Sequence, residues 1–166
     1  MGALLVSRRN PTRGAGHKRE PGRHLALPND FLNSILYARI STHSLKLLLD
    51  LGAQYNLENN GRLVACFSVL KKRGWKSEET LFKARRELER EKIIVETRKG
   101  GRPNRASWYA LTFFDLDPHR DQDITPRAFV RGAWRMNGAL VISRNVATTP
   151  SVVRNTPTAP LRAVGT

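Results

Sequence analysis

Apolar residues recur at helical spacing from position 31 to about position 91, then give way to strand-like alternation up to position 113. Pro28-Asn29-Asp30 precedes Phe31, Leu32, Ile35 and Leu36, which predicts a short helix capped near Asn29 or Asp30. Ser41 or Thr42 opens a second helix, with Leu45, Leu48 and Leu49 on one side and Leu47, Leu51 and Tyr55 along a second ridge. Apolar residues on both ridges, interrupted mainly by Lys46 and Asp50, mark it as the central helix of a small bundle. Asn59-Asn60-Gly61 is a strong turn signal after it.

Leu63 and Val64 fit either a very short strand or the start of the next helix, and Ala65, Val69 and Leu70 continue a short helical stretch toward Lys72. Cys66 reads as buried filler in that stretch. Gly74 suits a left-handed C-cap, which leaves Trp75 to plug the corner before the next helix. Ser77 caps that helix, Glu78 and Glu79 occupy its first turn, and Leu81, Ala84 and Leu88 form its inner stripe as far as about Glu91. The runs 93–98 and 106–113 are rich in β-branched and aromatic residues, and Lys99-Gly100-Gly101-Arg102-Pro103-Asn104 between them predicts a hairpin loop. Helix, helix, short strand, helix, turn, helix, hairpin is the order of a winged helix-turn-helix, mainly α with one β-hairpin.

Charge changes the picture from fold to partner. The chain has 166 residues, 29 of them Lys or Arg against 14 Asp or Glu, for a formal net charge of +15. Such a balance favours a polyanion or an anionic membrane surface. No stretch approaches the about 18 apolar residues of a membrane span, and Ala3-Leu4-Leu5-Val6 is too short for the apolar region of a signal peptide. One cysteine makes no internal disulfide, which fits a reducing cytoplasm, at the nucleoid when bound to DNA. Composition predicts a flexible basic arm over 1–27, a folded domain over 28–114 and a largely irregular C-terminal tail over 115–166. Four aspartates at 115, 117, 121 and 123 read as a solvated acidic hinge. Residues 2–8 and 138–144 are near-copies, either two β-prone segments or an accident of composition.

Positive charge is concentrated late in the domain. From Lys71 to Arg105 there are 13 basic and 6 acidic residues, which accounts for the whole net +7 of 28–114. Lys83, Arg86 and Arg90 fall broadly opposite the Leu81–Leu88 stripe, with Lys76, Glu79, Thr80 and Glu87 flanking or sharing that outward half. The basic side chains donate to phosphate oxygens or guanine edges, whereas Glu79–Lys83 and Lys83–Glu87 also fit ordinary i,i+4 solubility pairs. Lys99, Arg102 and Arg105 surround glycines that permit close approach to phosphate or a narrow minor groove. Trp75, Trp108 and Tyr109 read as core, because stacking on single strands needs several rings on one solvent face.

Catalysis finds no support in spacing. His17, His24, His43 and His119 form no metal-ligand motif, and no Gly-Lys-Ser or Gly-Lys-Thr phosphate loop occurs. The expectation is no enzyme activity, no metal and no cofactor.

The segments Leu49-Asp50-Leu51, Gln54-Tyr55, Asn59-Asn60-Gly61 and Lys72-Arg73-Gly74-Trp75-Lys76-Ser77 resemble small winged helix-turn-helix proteins of proteobacterial genomes and mobile elements. The likeness continues through Thr80-Leu81, Ala84, Arg86-Glu87-Leu88, the run 96–104 and Trp108-Tyr109-Ala110-Leu111-Thr112, and covers about residues 27–114. Cys66-Phe67 departs from it, standing where related chains are more polar, while Phe129–Arg135 resembles a tail segment of some relatives. The resemblance implies a recognition helix over 77–91 and a wing over 99–105, with double-stranded DNA as partner and transcriptional regulation as the usual role. Replication or maintenance of a mobile element, RNA or single-strand binding, and a non-enzymatic adaptor remain alternatives. A homodimer or a replication or transcription partner stays open.

Overall fold

Serine hydroxyls decide where the helices begin. Ser34, Ser41 and Ser77 each stand in extended backbone and accept the N–H three residues on, from Tyr37, Ser44 and Thr80. Each cap satisfies a donor that the helix itself leaves unpaired, worth about 1 kcal/mol. The computed structural model describes residues 22–137 except 102 and 104. Over these residues the chain forms a small mixed α/β domain of short helices and a three-stranded antiparallel sheet. The predicted arm up to residue 21, the copies at 2–8 and 138–144, the tail beyond 137 and Arg102 lie outside the described residues.

In chain order the elements are α1 (Asn29–Leu32), α2 (Ile35–Arg39), α3 (Thr42–Gln54), β1 (Leu63–Val64) and α4 (Phe67–Leu70). A 3-10 turn (Lys71–Arg73) then leads to α5 (Glu78–Arg90), β2 (Ile94–Arg98) and β3 (Trp108–Leu111). The single helix expected after Pro28 is two. Ser34 breaks it, donating its hydroxyl to the Phe31 carbonyl at 2.6 Å while it caps α2. Neither Asn29 nor Asp30 is the cap; Pro28 holds that position without a side-chain bond. Cys66 is likewise not inside a helix but precedes α4 in extended backbone, half-buried.

The strand order is β1-β3-β2, so Leu63 and Val64 form a strand rather than a helix start, pairing with Tyr109 and Trp108. β2 pairs with β3 from Ile94↔Leu111 to Arg98↔Trp108, with an irregularity between Glu96 and Arg98. There Thr97 turns inward and donates its hydroxyl to the Gly61 carbonyl at 2.6 Å. Gly101 and Arg105 extend the hairpin by a further bridge. A Cβ at Gly100 would stand 2.9 Å from the Arg105 carbonyl and the Ser107 nitrogen, so this position requires glycine.

Leu47, Leu48 and Leu51 of α3, Leu81 and Leu88 of α5, and Ile94, Tyr109 and Leu111 of the sheet form one core. Leu49 is exposed, so the two ridges of α3 are not equally inward. The Asn59-Asn60-Gly61 turn is built into this core. Asn60 is fully buried, exchanges hydrogen bonds with Leu111 at 2.7 and 2.9 Å, and donates its backbone N–H to Asp117 at 2.7 Å.

Packing continues past residue 114. Residues 115–137 carry little regular structure beyond a 3-10 turn (Ala133–Asn137), yet they pack. Leu116 and Trp134 are buried, and the Trp134 ring meets Phe31 edge-on at 5.5 Å and Phe113 at 6.1 Å. Asp115, Asp121 and Asp123 are exposed and Asp117 is half-buried, yet three of the four are bonded to the domain. Asp117 holds Asn60, Asp123 accepts the Lys99 N–H at 2.6 Å, and Asp115 pairs with Arg131 at 3.0 Å. Composition concealed this because one tryptophan supplies most of the apolar anchor. Replacing Trp134 with Ala should cost about 3–5 kcal/mol in urea unfolding of the full chain. A loss below about 1 kcal/mol would mean that 115–137 is not part of the packed unit.

Candidate nucleic-acid interface

The corner between α4 and α5 is held by a carboxylate from α3. Asp50 is buried and accepts three hydrogen bonds: from Lys46 Nζ at 2.8 Å, Arg73 Nε at 2.8 Å and Trp75 Nε1 at 2.7 Å. Gly74, at φ 87°, turns the chain so that Trp75 folds inward, and Lys46 also reaches the Arg73 carbonyl at 2.9 Å. Burial opposes ionisation of Asp50, but the bonds from Lys46, Trp75 and Arg73 outweigh it and hold the carboxyl below its ordinary value.

A second carboxylate fixes the other end of the same helix pair. Glu87 of α5 accepts the Ser41 N–H at 3.1 Å and the Ser41 and Ser44 hydroxyls at 2.6 Å each. It thus sits at the start of α3, where the unpaired N–H groups favour an anion. Burial opposes this charge too, and the serine bonds prevail, leaving the Glu87 carboxyl below its usual value. One turn on, Glu91 is buried and takes Arg39 Nη2 at 2.5 Å. Glu89 is half-buried beside Arg85, and its burial pushes the carboxyl up against the pull of that guanidinium. Of the acids on α5 and its C-cap, Glu91 is buried, Glu87 and Glu89 are half-buried, and Glu78 and Glu79 are exposed.

The outer face carries both signs. Lys83, Arg86 and Arg90 are exposed and line one shallow hollow on α5, together with Glu79, Glu87 and Phe82. Lys83 bonds Glu79 at 2.6 Å, as the i,i+4 spacing predicts, and this bond lowers the Glu79 carboxyl. The Lys83–Glu87 pair is replaced by the serine anchor described above. Arg90 Nε lies 3.4 Å from Glu91, and Lys76 is exposed. Thr80 is half-buried and, with Lys76, lines a separate hollow of about 190 Å³ against His43 and Trp75. Lys99 and Arg105 are exposed on the hairpin, where no hydrogen bond or ion pair among the described residues joins them to α5. Arg102, between them, lies outside the described residues.

Two residues of this region escaped sequence reasoning. Phe82 is exposed on the outer face, off the inner stripe, and its aromatic character in a polar position was the available signal. Arg85 lies over Phe82 at 4.9 Å and Tyr109 at 5.9 Å, and borders a cleft of about 180 Å³ between α5 and β3. Trp75 and Tyr109 are core, as expected; Trp108 is half-buried, with the Arg98 guanidinium 3.2 Å from its ring centre. Among the described residues no group of three metal-ligating side chains exists, and no helix is long and apolar enough to cross a membrane.

The Asp50 clamp makes a pH prediction. A carboxyl lower in the folded state than its ordinary 3.8 stabilises the fold fully above that value and loses the contribution as pH falls through the folded value. Urea unfolding from pH 7 to pH 3 should show stability declining at the acid end. Asp50→Asn should lower stability at pH 7 by about 1.5–3 kcal/mol and make that acid decline shallower. An acid decline of unchanged steepness would assign it to other carboxyls. Compared with protein-family models, curated proteins and solved structures, the chain matches none.

Proposed function

We propose that the protein binds double-stranded DNA as a winged helix-turn-helix, with residues 77–91 as recognition helix and 99–105 as wing, in transcriptional regulation. The observation that carries this reading is the sorting of charge on α5. Its sequence over 78–90 holds four acids and four bases, yet Glu87 is anchored on Ser41 and Ser44 while Lys83, Arg86 and Arg90 stay on the outside. The serine anchor draws Glu87 partly inward and Glu89 is half-buried, while Glu78 and Glu79 stay exposed in the first turn, so basic donors prevail on the later turns of the outer face. An outward face of long basic donors suits the major groove, where Arg bonds guanine O6 and N7 and Lys meets phosphate. Lys99 and Arg105 on the glycine hairpin suit the neighbouring backbone or minor groove. The proposed role is regulation at the nucleoid, the usual use of such a DNA-binding domain.

Binding of the full chain to duplex DNA should weaken steeply with salt, log K falling by about 0.9 per log unit of salt for each phosphate neutralised. Arg90→Ala and Arg105→Ala should each flatten that slope by about one phosphate. Arg86→Ala should instead relax preference at one base pair, by about 1–3 kcal/mol, more than it lowers affinity for random duplex. Affinity that ignores salt contradicts the proposal. Equal losses for Arg86→Ala on every sequence would make Arg86 a phosphate contact.

A further inference from the structure

The outer face of α5 has one apolar member, and it lies among the cations. Phe82 is 45% exposed, shares its hollow with Glu79, Lys83, Arg86, Glu87 and Arg90, and takes no part in the hydrophobic core. A lone exposed apolar residue on a protein surface is ordinary. This one is fixed differently from a stray side chain. The guanidinium of Arg85 lies 4.9 Å from its ring centre and that of Arg86 lies 5.5 Å away, so two cations sit close to the ring. Phe82 lines both the outer hollow and the cleft toward Tyr109.

Resting on the proposed reading of DNA by this helix, we infer that Phe82 reads the C5-methyl group of a thymine adjoining a guanine bound by Arg86. In the major groove a thymine offers one apolar feature, its methyl group, and an aromatic side chain is a suitable partner for it. Arg86 bonds guanine O6 and N7 in the same groove. The 5.5 Å between guanidinium and ring centre is compatible with neighbouring bases rather than distant ones. The ring also limits the freedom of the Arg86 side chain, so less entropy is lost when its donors meet the base. The preferred site therefore contains thymine beside guanine, and the ring and guanidinium read the two together.

Uracil differs from thymine only in lacking that methyl group, which makes the test clean. Duplexes bound by the full-chain protein are selected from a random 20-base-pair pool, and one is resynthesised with each thymine replaced singly by uracil. Removing a buried methyl should weaken binding about fourfold at one position. That position should adjoin the base pair whose preference Arg86→Ala relaxes. Phe82→Ala, on an exposed helix site where Ala is the best helix former, should bind the thymine and uracil duplexes equally. Phe82→Leu should keep part of the difference. If no uracil replacement weakens the native protein, the inference is overturned while salt-dependent DNA binding stands. Sensitivity to uracil that survives in Phe82→Ala assigns the methyl contact to another side chain and also overturns it. Failure to retain any duplex even at low salt removes the DNA reading itself, and this inference with it.

Discussion

A buried carboxylate with three donors is the constraint on which the cationic side of this molecule depends. Asp50 stands in a helix otherwise given to leucine, and its charge is tolerable there only because Lys46, Arg73 and Trp75 all reach it. Removing one partner of such a group costs more than the bond itself, because the other charges stay where they are. The clamp joins α3 to the turn that launches α5. The direction of α5, and hence which of its residues face water, follows from where Asp50 holds Arg73 and Trp75.

Glu87 completes the arrangement from the other side. By binding the start of α3 it pins the C-terminal part of α5, and its carboxylate is held by Ser41 and Ser44 at the edge of the outer face. Structure and electrostatics are thus served by one residue. Glu91 repeats the device with Arg39. On a helix of balanced composition, packing draws Glu87 and Glu89 partly inward and leaves Lys83, Arg86 and Arg90 exposed beside Glu78 and Glu79. The proposed DNA reading rests on those exposed basic donors.

Much of this was legible in the residues alone. Ser41 and Ser77 as caps, Gly74 as the left-handed corner, Trp75 as its plug and the hairpin around Gly100-Gly101 all follow from local chemistry that tertiary contacts leave intact. The outward placing of Lys83, Arg86 and Arg90 follows from period alone. What escaped depends on contacts distant in sequence. No local rule predicts that Asp117 would hold Asn60, or that Trp134 would close the core beside Phe31. Asp50 read as an interruption of a leucine ridge because its partners lie 4, 23 and 25 residues away. Glu87 read as a solubility charge for the same reason, its serines lying 43 and 46 residues upstream.

Backbone amide NMR shifts of the full chain titrated with a 20-base-pair duplex test the proposed DNA face most directly. The largest shifts should cluster at residues 76–90 and 99–105, with the inner stripe of α5 moving less than its outer face. Shifts gathered instead on α1, α2 and the exposed side of α3, with α5 unchanged, would contradict it.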